Sequence, residues 1–133
     1  MAATLTITSS EVDTLTSNPG YSSSKNIVIT GEITHTQASA LKNVASPSIT
    51  ATVAKTTVAN LKNIDVLSGR TNAFTFTTSD TSASASDLVA IKGLTSVAPD
   101  FTTVAAITAS SVADIKSLYT GTNSTLGTET ISV

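Results

Sequence analysis

His35 is the only histidine of this 133-residue chain, and histidine is the usual general base of hydrolases. In a Ser-His-Asp site it would accept the proton of a serine nucleophile while a carboxylate oriented the imidazole. Ser and Asp are plentiful, but the Gly-x-Ser-x-Gly turn that exposes the serine in many hydrolases is absent. We therefore interpret His35 as a solvated residue between a strand and a helix and expect no catalytic residues. A hydrolase that uses His35 is the enzyme alternative.

The nine Asp and Glu residues could supply the oxygen ligands that Ca²⁺ prefers, but they do not cluster in the sequence. Asp87 and Asp114 each follow a serine by three residues, which is typical of a helix start. The Gly-Gly-x-Gly-x-Asp repeat of calcium-binding β-rolls and the Gly-rich phosphate loop are both absent. We expect no metal and no cofactor, with Ca²⁺ between adjacent repeats as the open alternative. Asn123-Ser124-Thr125 matches an N-glycosylation acceptor.

Threonine is the residue whose spacing most suggests a surface. Thr-x-Thr pairs occur at 4–6, 6–8, 34–36, 50–52, 75–77 and 128–130. On stacked strands such pairs would form a flat array of methyl and hydroxyl groups, as in some ice-binding proteins, and we assign Thr50, Thr52, Thr75 and Thr77 to this face. The simpler interpretation is that threonine is a soluble strand residue on an exposed face. The second strand interrupts the pattern with Val28.

Five segments that share a helical pattern would position these side chains. Each has two aliphatic residues three apart, a small residue two positions before the first of them, and Ser, Thr or Gln four positions before it. We call the first aliphatic residue of each segment its anchor; the anchors are Val12, Leu41, Leu61, Leu88 and Ile115. The i, i+3 spacing predicts short helices with one apolar face, and a Ser or Thr at the start can cap the free N–H groups.

Between these segments lie stretches in which apolar residues alternate with polar ones. They are 5–8, 27–30, 49–53, 74–77, 101–104 and 130–133. This alternation of β-branched and aromatic residues predicts strands with one buried face. Six strands would therefore alternate with five helices.

Strands separated by a helix pair in parallel through right-handed crossovers. Successive anchors are 29, 20, 27 and 27 residues apart, too close for a wide sheet with long helices. The sequence therefore predicts an α/β fold, a right-handed parallel β-solenoid of about five strand–short helix repeats, each buried against its neighbours. We expect a single repeat domain over 1–133. Its units would be about 1–25, 26–47, 48–72, 73–99 and 100–128, followed by a terminal strand at 129–133.

Thr-Ala-Thr-Val at 50–53 is followed by Ser/Thr-x-Ala-x-Leu-x-x-Ile at 57–64, with related forms at 84–91 and 111–118. This pattern resembles the Thr/Ala-rich tandem strand–helix repeats of large cyanobacterial surface or secreted proteins and of phage structural proteins. The resemblance covers about residues 26–133 and implies a passive structural or surface role. A leucine-rich repeat is the alternative, because Leu61-x-x-Ile64-x-Val66 partly fits its core, although the expected Asn is missing.

The composition excludes several functions. The net charge is −2 and the seven Lys and Arg residues are scattered, so we expect no nucleic-acid binding. There is no Cys, no apolar run near the ~20 residues of a membrane span, and no basic-then-apolar start that would mark a signal peptide. Ser and Thr occupy 46 of the 133 positions. This charge-poor surface is typical of virion, extracellular and cell-surface proteins, and we expect one of these locations.

The first and last predicted strands would each leave one edge without a neighbour. The edge contacts would come from Leu5, Thr6 and Ile7 at one end and from Thr130, Ile131, Ser132 and Val133 at the other. Such edges are templates for pairing with another chain. We expect a non-catalytic structural or assembly protein, either a virion decoration or fibre protein or an extracellular surface or filament component, whose partners are copies of itself or a larger assembly. A binding module, either an adhesin or an ice-binding protein, is the alternative.

Overall fold

The computed structural model describes residues 3–18, 24–108, 110–120, 126 and 129–133, in which short strands alternate with short helices. The strands are β1 (Ala3–Thr8), β2 (Lys25–Ile33), β3 (Ser48–Val53), β4 (Thr71–Thr75), β5 (Ser82–Ser84), β6 (Ala106–Thr108) and β7 (Thr130–Ile131). The helices are α1 (Val12–Thr16), α2 (His35–Ala40), α3 (Val58–Lys62), α4 (Ala85–Lys92) and α5 (Val112–Leu118). Two 3₁₀ segments, Ser9–Glu11 and Leu41–Asn43, precede α1 and follow α2. Within these ranges no helix is long and apolar enough to span a bilayer.

The strands form two parallel sheets, ordered β1-β2-β3-β4 and β5-β6-β7. Within each sheet a strand pairs with the next one along the chain, and in five of the six steps from strand to strand a helix lies between them. A helical crossover returns the chain in the same direction, which is why every pairing is parallel. The predicted α/β class with parallel strands is confirmed.

The register follows from the alternation of apolar residues. Leu5 of β1 lies opposite Ile27 of β2, and Ile27 lies opposite Ile49 of β3. Ile27 and Ile49 are fully buried, so this column of side chains belongs to the core. A slip of one residue would turn the column towards solvent, and burial therefore specifies the register.

The core is one continuous cluster of aliphatic residues with three phenylalanines, Phe74, Phe76 and Phe101. The anchors Val12, Leu41, Leu61 and Leu88 are each 0% exposed, which confirms that they mark the buried face of each helix. The fifth anchor, Ile115, is only partly buried against the cluster. The last helix therefore buries its anchor less completely than the others do.

Three of the helices begin at the predicted N-cap residue. The hydroxyls of Thr57, Ser84 and Ser111 each accept a hydrogen bond from the N–H three residues on, at 3.2, 3.3 and 3.1 Å. The second unit differs, because α2 starts earlier than its anchor predicts. There Thr34 is the cap, and Gln37, the predicted start, lies inside the helix and completes a capping box.

The strand predicted at 101–104 is wrong. The Asp100 carboxylate accepts hydrogen bonds from the N–H and hydroxyl of Thr102 at 3.0 and 2.6 Å, and the Val104 N–H donates to the Phe101 carbonyl at 2.9 Å. These bonds form a turn that buries Phe101 and Val104. The strand of this unit is β6, directly after the turn.

A break between β4 and β5 replaces the single stack of strands that the sequence predicts. There the ladder is reduced to two isolated bridges, Thr56 with Thr78 and Thr77 with Asp100. Beside β4, the Thr95 hydroxyl lies 2.9 and 2.6 Å from the N–H and carbonyl of Phe74, where a next strand would pair. A side chain that satisfies these groups removes the need for a strand at this point.

Candidate interaction surfaces

The first candidate surface is the outer edge of β1, which has a strand neighbour on one side only among the described residues. Leu5 and Ile7 are half-buried and Thr6 is exposed, whereas their neighbours Ile27 and Ile29 in β2 are 0% and 5% exposed. A groove of about 380 Å³ lies between β1 and α1. It is lined by Leu5, Ile7, Glu11, Thr14, Leu15 and Asn18. The predicted edge residues therefore form one wall of an apolar groove.

Glu11 places a negative charge at this groove. Its Oε1 accepts hydrogen bonds from the N–H and the hydroxyl of Thr8, at 2.9 and 3.0 Å. The bond from the N–H and then the bond from the hydroxyl hold the pKa of Glu11 below its ordinary value. Nearby, Asp13 accepts a hydrogen bond from Gln37 of α2 at 3.3 Å. Glu11 is the carboxylate among the residues that line the groove.

The second candidate surface is the outer edge of β7. The N–H groups of Thr130 and Ser132 donate to β6 and its flank, at 2.9 Å to Ala105 and 2.8 Å to Ile107. Because alternate residues of a strand address opposite edges, the N–H of Ile131 points away from β6. The Ile131 side chain is 41% exposed, while its neighbour Ile107 is 0% exposed. Val133, the last predicted edge residue, is 82% exposed.

Three of the four threonines of the predicted face, Thr50, Thr52 and Thr75, lie on the same side of the sheet. Thr50 and Thr52 are exposed on β3, and Thr75 of β4 lies directly beside Thr52. Thr77 follows β4 and lies beside Asp100 through an isolated bridge. The structure therefore brings Thr52 and Thr75 together and leaves Thr50 and Thr77 without a threonine neighbour in the ladder.

Other residue types interrupt the threonine columns. Thr50 lies between Val28 of β2 and Ala73 of β4, and Thr52 lies beside Glu32 of β2. The last of these pairings follows from a register shift within β2, between Val28 and Glu32. No column of three stacked threonines therefore forms across β2, β3 and β4.

Lysine–aspartate pairs join consecutive units on the outside of the protein. Lys42 Nζ lies 2.7 Å from Asp65 Oδ2, and Lys62 Nζ lies 3.1 Å from Asp87 Oδ1. In both pairs the lysine comes from the earlier unit and the aspartate from the later one. The sequence carries no separate signal for these pairs, although Lys42 and Lys62 each directly follow an anchor.

Lys92 also reaches from an earlier unit to a later one, but its acceptors are backbone carbonyls. Its Nζ donates to carbonyl groups at the end of α5, at 3.2 Å to Ser117, 2.8 Å to Leu118 and 3.0 Å to Thr120. A cation at a helix C-terminus is stabilised by the partial negative charge of the free carbonyls. A lysine at or just after the C-terminal end of each of α2, α3 and α4 thus contacts the following unit.

The described side chains that could serve in catalysis or metal binding do not form a site. His35 is half-buried in the first turn of α2, and its ring hydrogen-bonds to no serine or carboxylate among the described residues. No group of three His, Asp or Glu side chains in that part of the chain could hold a metal ion. The glycosylation pattern at 123–125 lies outside the described residues.

Comparisons with protein-family models, with curated proteins and with solved structures find no match to this chain. The features of the chain that bear on its function are the exposed edges of β1 and β7, the groove beside β1, and the Lys–Asp pairs that join consecutive units.

Proposed function

We propose that this chain is a non-catalytic structural protein that docks onto other protein chains through its exposed strand edges. The observation that carries the proposal is the contrast within one ladder. Ile107 is fully buried and Ile131, its neighbour in β7, is 41% exposed. The same contrast separates Ile27 from Leu5 at β1. Large aliphatic residues, which the protein buries elsewhere, are thus half-buried or exposed at both outer strands.

A right-handed parallel β-solenoid of about five strand–short helix units is the architecture that we propose for this role. Strand order that follows chain order, parallel pairing and one short helix between most strands all support it. The handedness rests on the general preference of parallel crossovers. In such a stack each unit buries its apolar side only against neighbouring units, and the outermost units present theirs.

The use of the carboxylates supports a structural rather than a catalytic role. Asp65 and Asp87 pair with lysines of preceding helices. Asp80 accepts the first N–H of α3, and Asp100 holds a turn. Each of these side chains thus has a partner within the fold, as expected of residues that stabilise stacked units.

The proposed setting is a virion or an extracellular or cell-surface assembly, with copies of the chain or a larger assembly as partners and no nucleic acid. The scarcity of charge supports it, because only 12% of residues are charged. Lys42, Lys62 and Lys92 have partners within the chain, and Arg70 is buried, which leaves little positive surface for phosphates.

Amide hydrogen exchange combined with light scattering tests the docking role. We expect the purified chain to associate as its concentration rises and the outward N–H of Ile131 to become protected in the associated form. Ile131→Pro removes this donor without touching the bonds of Thr130 and Ser132 to the β6 side. It should weaken association while the melting temperature changes little. A chain that stays monomeric at every concentration, with the Ile131 amide already protected, would overturn the proposal.

A further inference from the structure

One position of the repeat shows what a helix of this protein normally buries. It lies three residues before the anchor and is Ala38 in α2, Val58 in α3 and Ala85 in α4, with exposures of 0%, 4% and 0%. In α5 the same position is Val112, which is 71% exposed. An apolar residue at a position that is buried in three helices is therefore open in the fourth.

In α3 and α4 the following unit contacts the helix at this position. The N–H of Val58 donates to Asp80 at 2.9 Å, and the N–H of Ala85 donates to Ser110 at 2.7 Å, across 22 and 25 residues of chain. The start of each of these helices thus lies under the polar side chain of the next unit. No described residue of the chain provides this cover for Val112.

Val112 belongs to an exposed stripe along α5. Lys116 and Tyr119 follow it at i+4 and i+7, which places all three on one side of the helix. Lys116 is exposed and Tyr119 is 43% exposed. Lys116 directly follows its anchor, as do Lys42 and Lys62, which pair with aspartates of the next unit. The first two residues of the stripe therefore match positions that the second and third units turn towards the unit after them.

The groove between β1 and α1 supplies the complementary face. Its apolar wall, Leu5 and Ile7, lies where a preceding strand would pack. Glu11 directly precedes the anchor of its helix, as Asp87 does, and Asp87 is the residue that receives Lys62. Glu11 therefore occupies the position of a carboxylate that accepts a lysine from a preceding helix.

We propose that two copies of this chain stack head to tail, with the α5 stripe and β7 of one copy against the β1–α1 groove of the next and with Lys116 beside Glu11. This deepens the proposed function and rests on it, because it names the partner and the polarity. Both Lys–Asp pairs among the described residues run from an earlier unit to a later one, and a second copy continues that order. A head-to-head pair would instead bring two Glu11 carboxylates together. A head-to-tail contact does not close on two copies, so association should proceed to longer oligomers.

Reversing the charge of Lys116 in one copy and of Glu11 in another tests whether these two residues meet at the contact. Lys116→Glu places Glu against Glu11, and Glu11→Lys places Lys against Lys116. Each variant alone should associate about tenfold more weakly than the unmodified chain, since reversal replaces the attraction of an exposed ion pair by a repulsion. An equimolar mixture of the two variants restores an opposite-charge pair at contacts between unlike copies. It should therefore recover the association, measured by sedimentation velocity at low salt.

Two further variants control this experiment. Lys55→Glu makes the same charge change on an exposed residue outside the stripe and should associate normally. Glu11→Gln removes the charge but keeps an acceptor for Thr8, as Gln37 does in the capping box of α2, so weaker association of this variant would not reflect loss of the cap. Association that is unchanged by all reversals, or a mixture without recovery, overturns the head-to-tail contact and leaves docking through the edges intact. A chain that never associates overturns both.

Discussion

Arg70 is the most deeply placed charge among the described residues, with 9% of its surface exposed. Its Nη1 donates to the carbonyls of Leu41 and Val44 at 3.0 and 2.9 Å, at the 3₁₀ segment after α2. Its Nε donates to Asn72 at 2.9 Å. Burial lowers the pKa of Arg70 below its ordinary value, and arginine nevertheless stays protonated at neutral pH. One guanidinium thus ties β4 to the unit before it.

Arg70→Met should lower the free energy of unfolding by about 1–3 kcal/mol, because two carbonyls lose their buried donor. Loss of the buried charge offsets part of this effect. Arg70→Lys keeps the charge but not the planar fork, and its stability should fall between those of the methionine variant and the unmodified chain. Urea unfolding measures all three proteins. Equal stability of the methionine variant and the unmodified chain would show that these carbonyls do not depend on Arg70.

Stability should fall below about pH 4.5, where unfolded Asp and Glu begin to protonate. Asp100 has a lowered pKa, chiefly because the hydroxyl of Thr102 and then its N–H donate to the carboxylate. A lowered folded-state pKa gives stability that is present above the unfolded-state pKa and is lost as the pH falls through the folded-state value. Glu11, also with a lowered pKa, acts in the same direction.

Asp100→Asn removes one titrating group while keeping an acceptor for the Thr102 N–H. Its loss of stability between about pH 6 and about pH 3, measured by urea unfolding, should be smaller than that of the unmodified chain. Thr102→Ala, which removes the hydroxyl donor, should also reduce this loss of stability. An unchanged pH dependence in both variants would contradict the role assigned to this turn.

At the scale of the element, the register shift of β2 depends on a glycine. Gly31 has φ +82°, a conformation that other residues rarely adopt, and a Cβ there would lie 3.0 Å from Ser9 Oγ. A glycine inside an otherwise regular strand pattern is a known sign of a bulge, and Thr30-Gly31-Glu32 shows that sign in the sequence. The bulge in turn places Glu32 beside Thr52.

Gly31→Ala should destabilise the protein by about 1–2 kcal/mol through the positive φ, with a further contribution from Ser9. Gly69 is a matched control, because it has the same φ of +82° and a Cβ there would meet nothing within 4 Å. Gly69→Ala should therefore be the milder change. The double variant Gly31→Ala/Ser9→Ala should therefore have the same melting temperature as Gly69→Ala. If the two glycine variants are equally stable from the start, the contact with Ser9 has no effect.

The helices and strands differ in how far local sequence predicts them. Caps such as Thr57 and Ser84, and anchors such as Leu61 and Leu88, predict helices correctly because they act within one turn. The strand predicted at 101–104 failed because apolar residues three apart also suit a turn whose groups are satisfied by Asp100. The three residues of β5 carry too short an alternation to be recognised.

At the scale of the whole molecule, the broken threonine columns bear on the alternative binding function. We expect no thermal hysteresis in freezing solutions of this protein, because Val28, Ala73 and Glu32 interrupt the array around Thr50 and Thr52. Thr52→Lys probes the centre of the face, and Lys55→Glu is a control that changes an exposed side chain outside it. Hysteresis that is present in the unmodified chain and lost only in the Thr52 variant would establish ice binding.

The candidate surfaces were predictable only in part. Ile131 and Leu5 were identifiable as edge residues because they belong to the first and last strand patterns. Glu11 and Lys116 were not, since a lone charge on a helix has no sequence signature of a contact. Their meaning depends on Lys62 lying beside Asp87, 25 residues away, which only the packed helices reveal.

The sequence by itself determined the alternation of parallel strands and short helices, because periodicity, caps and the apolar anchors act over a few residues. Only the tertiary structure decided which residues become neighbours in adjacent units. That choice depends on loops and bulges that bring distant side chains into contact, such as Arg70 with Leu41, 29 residues apart. Because the units tolerate loops of different length, the spacing of residues along the chain does not tell which of them meet, and no local pattern records the outcome.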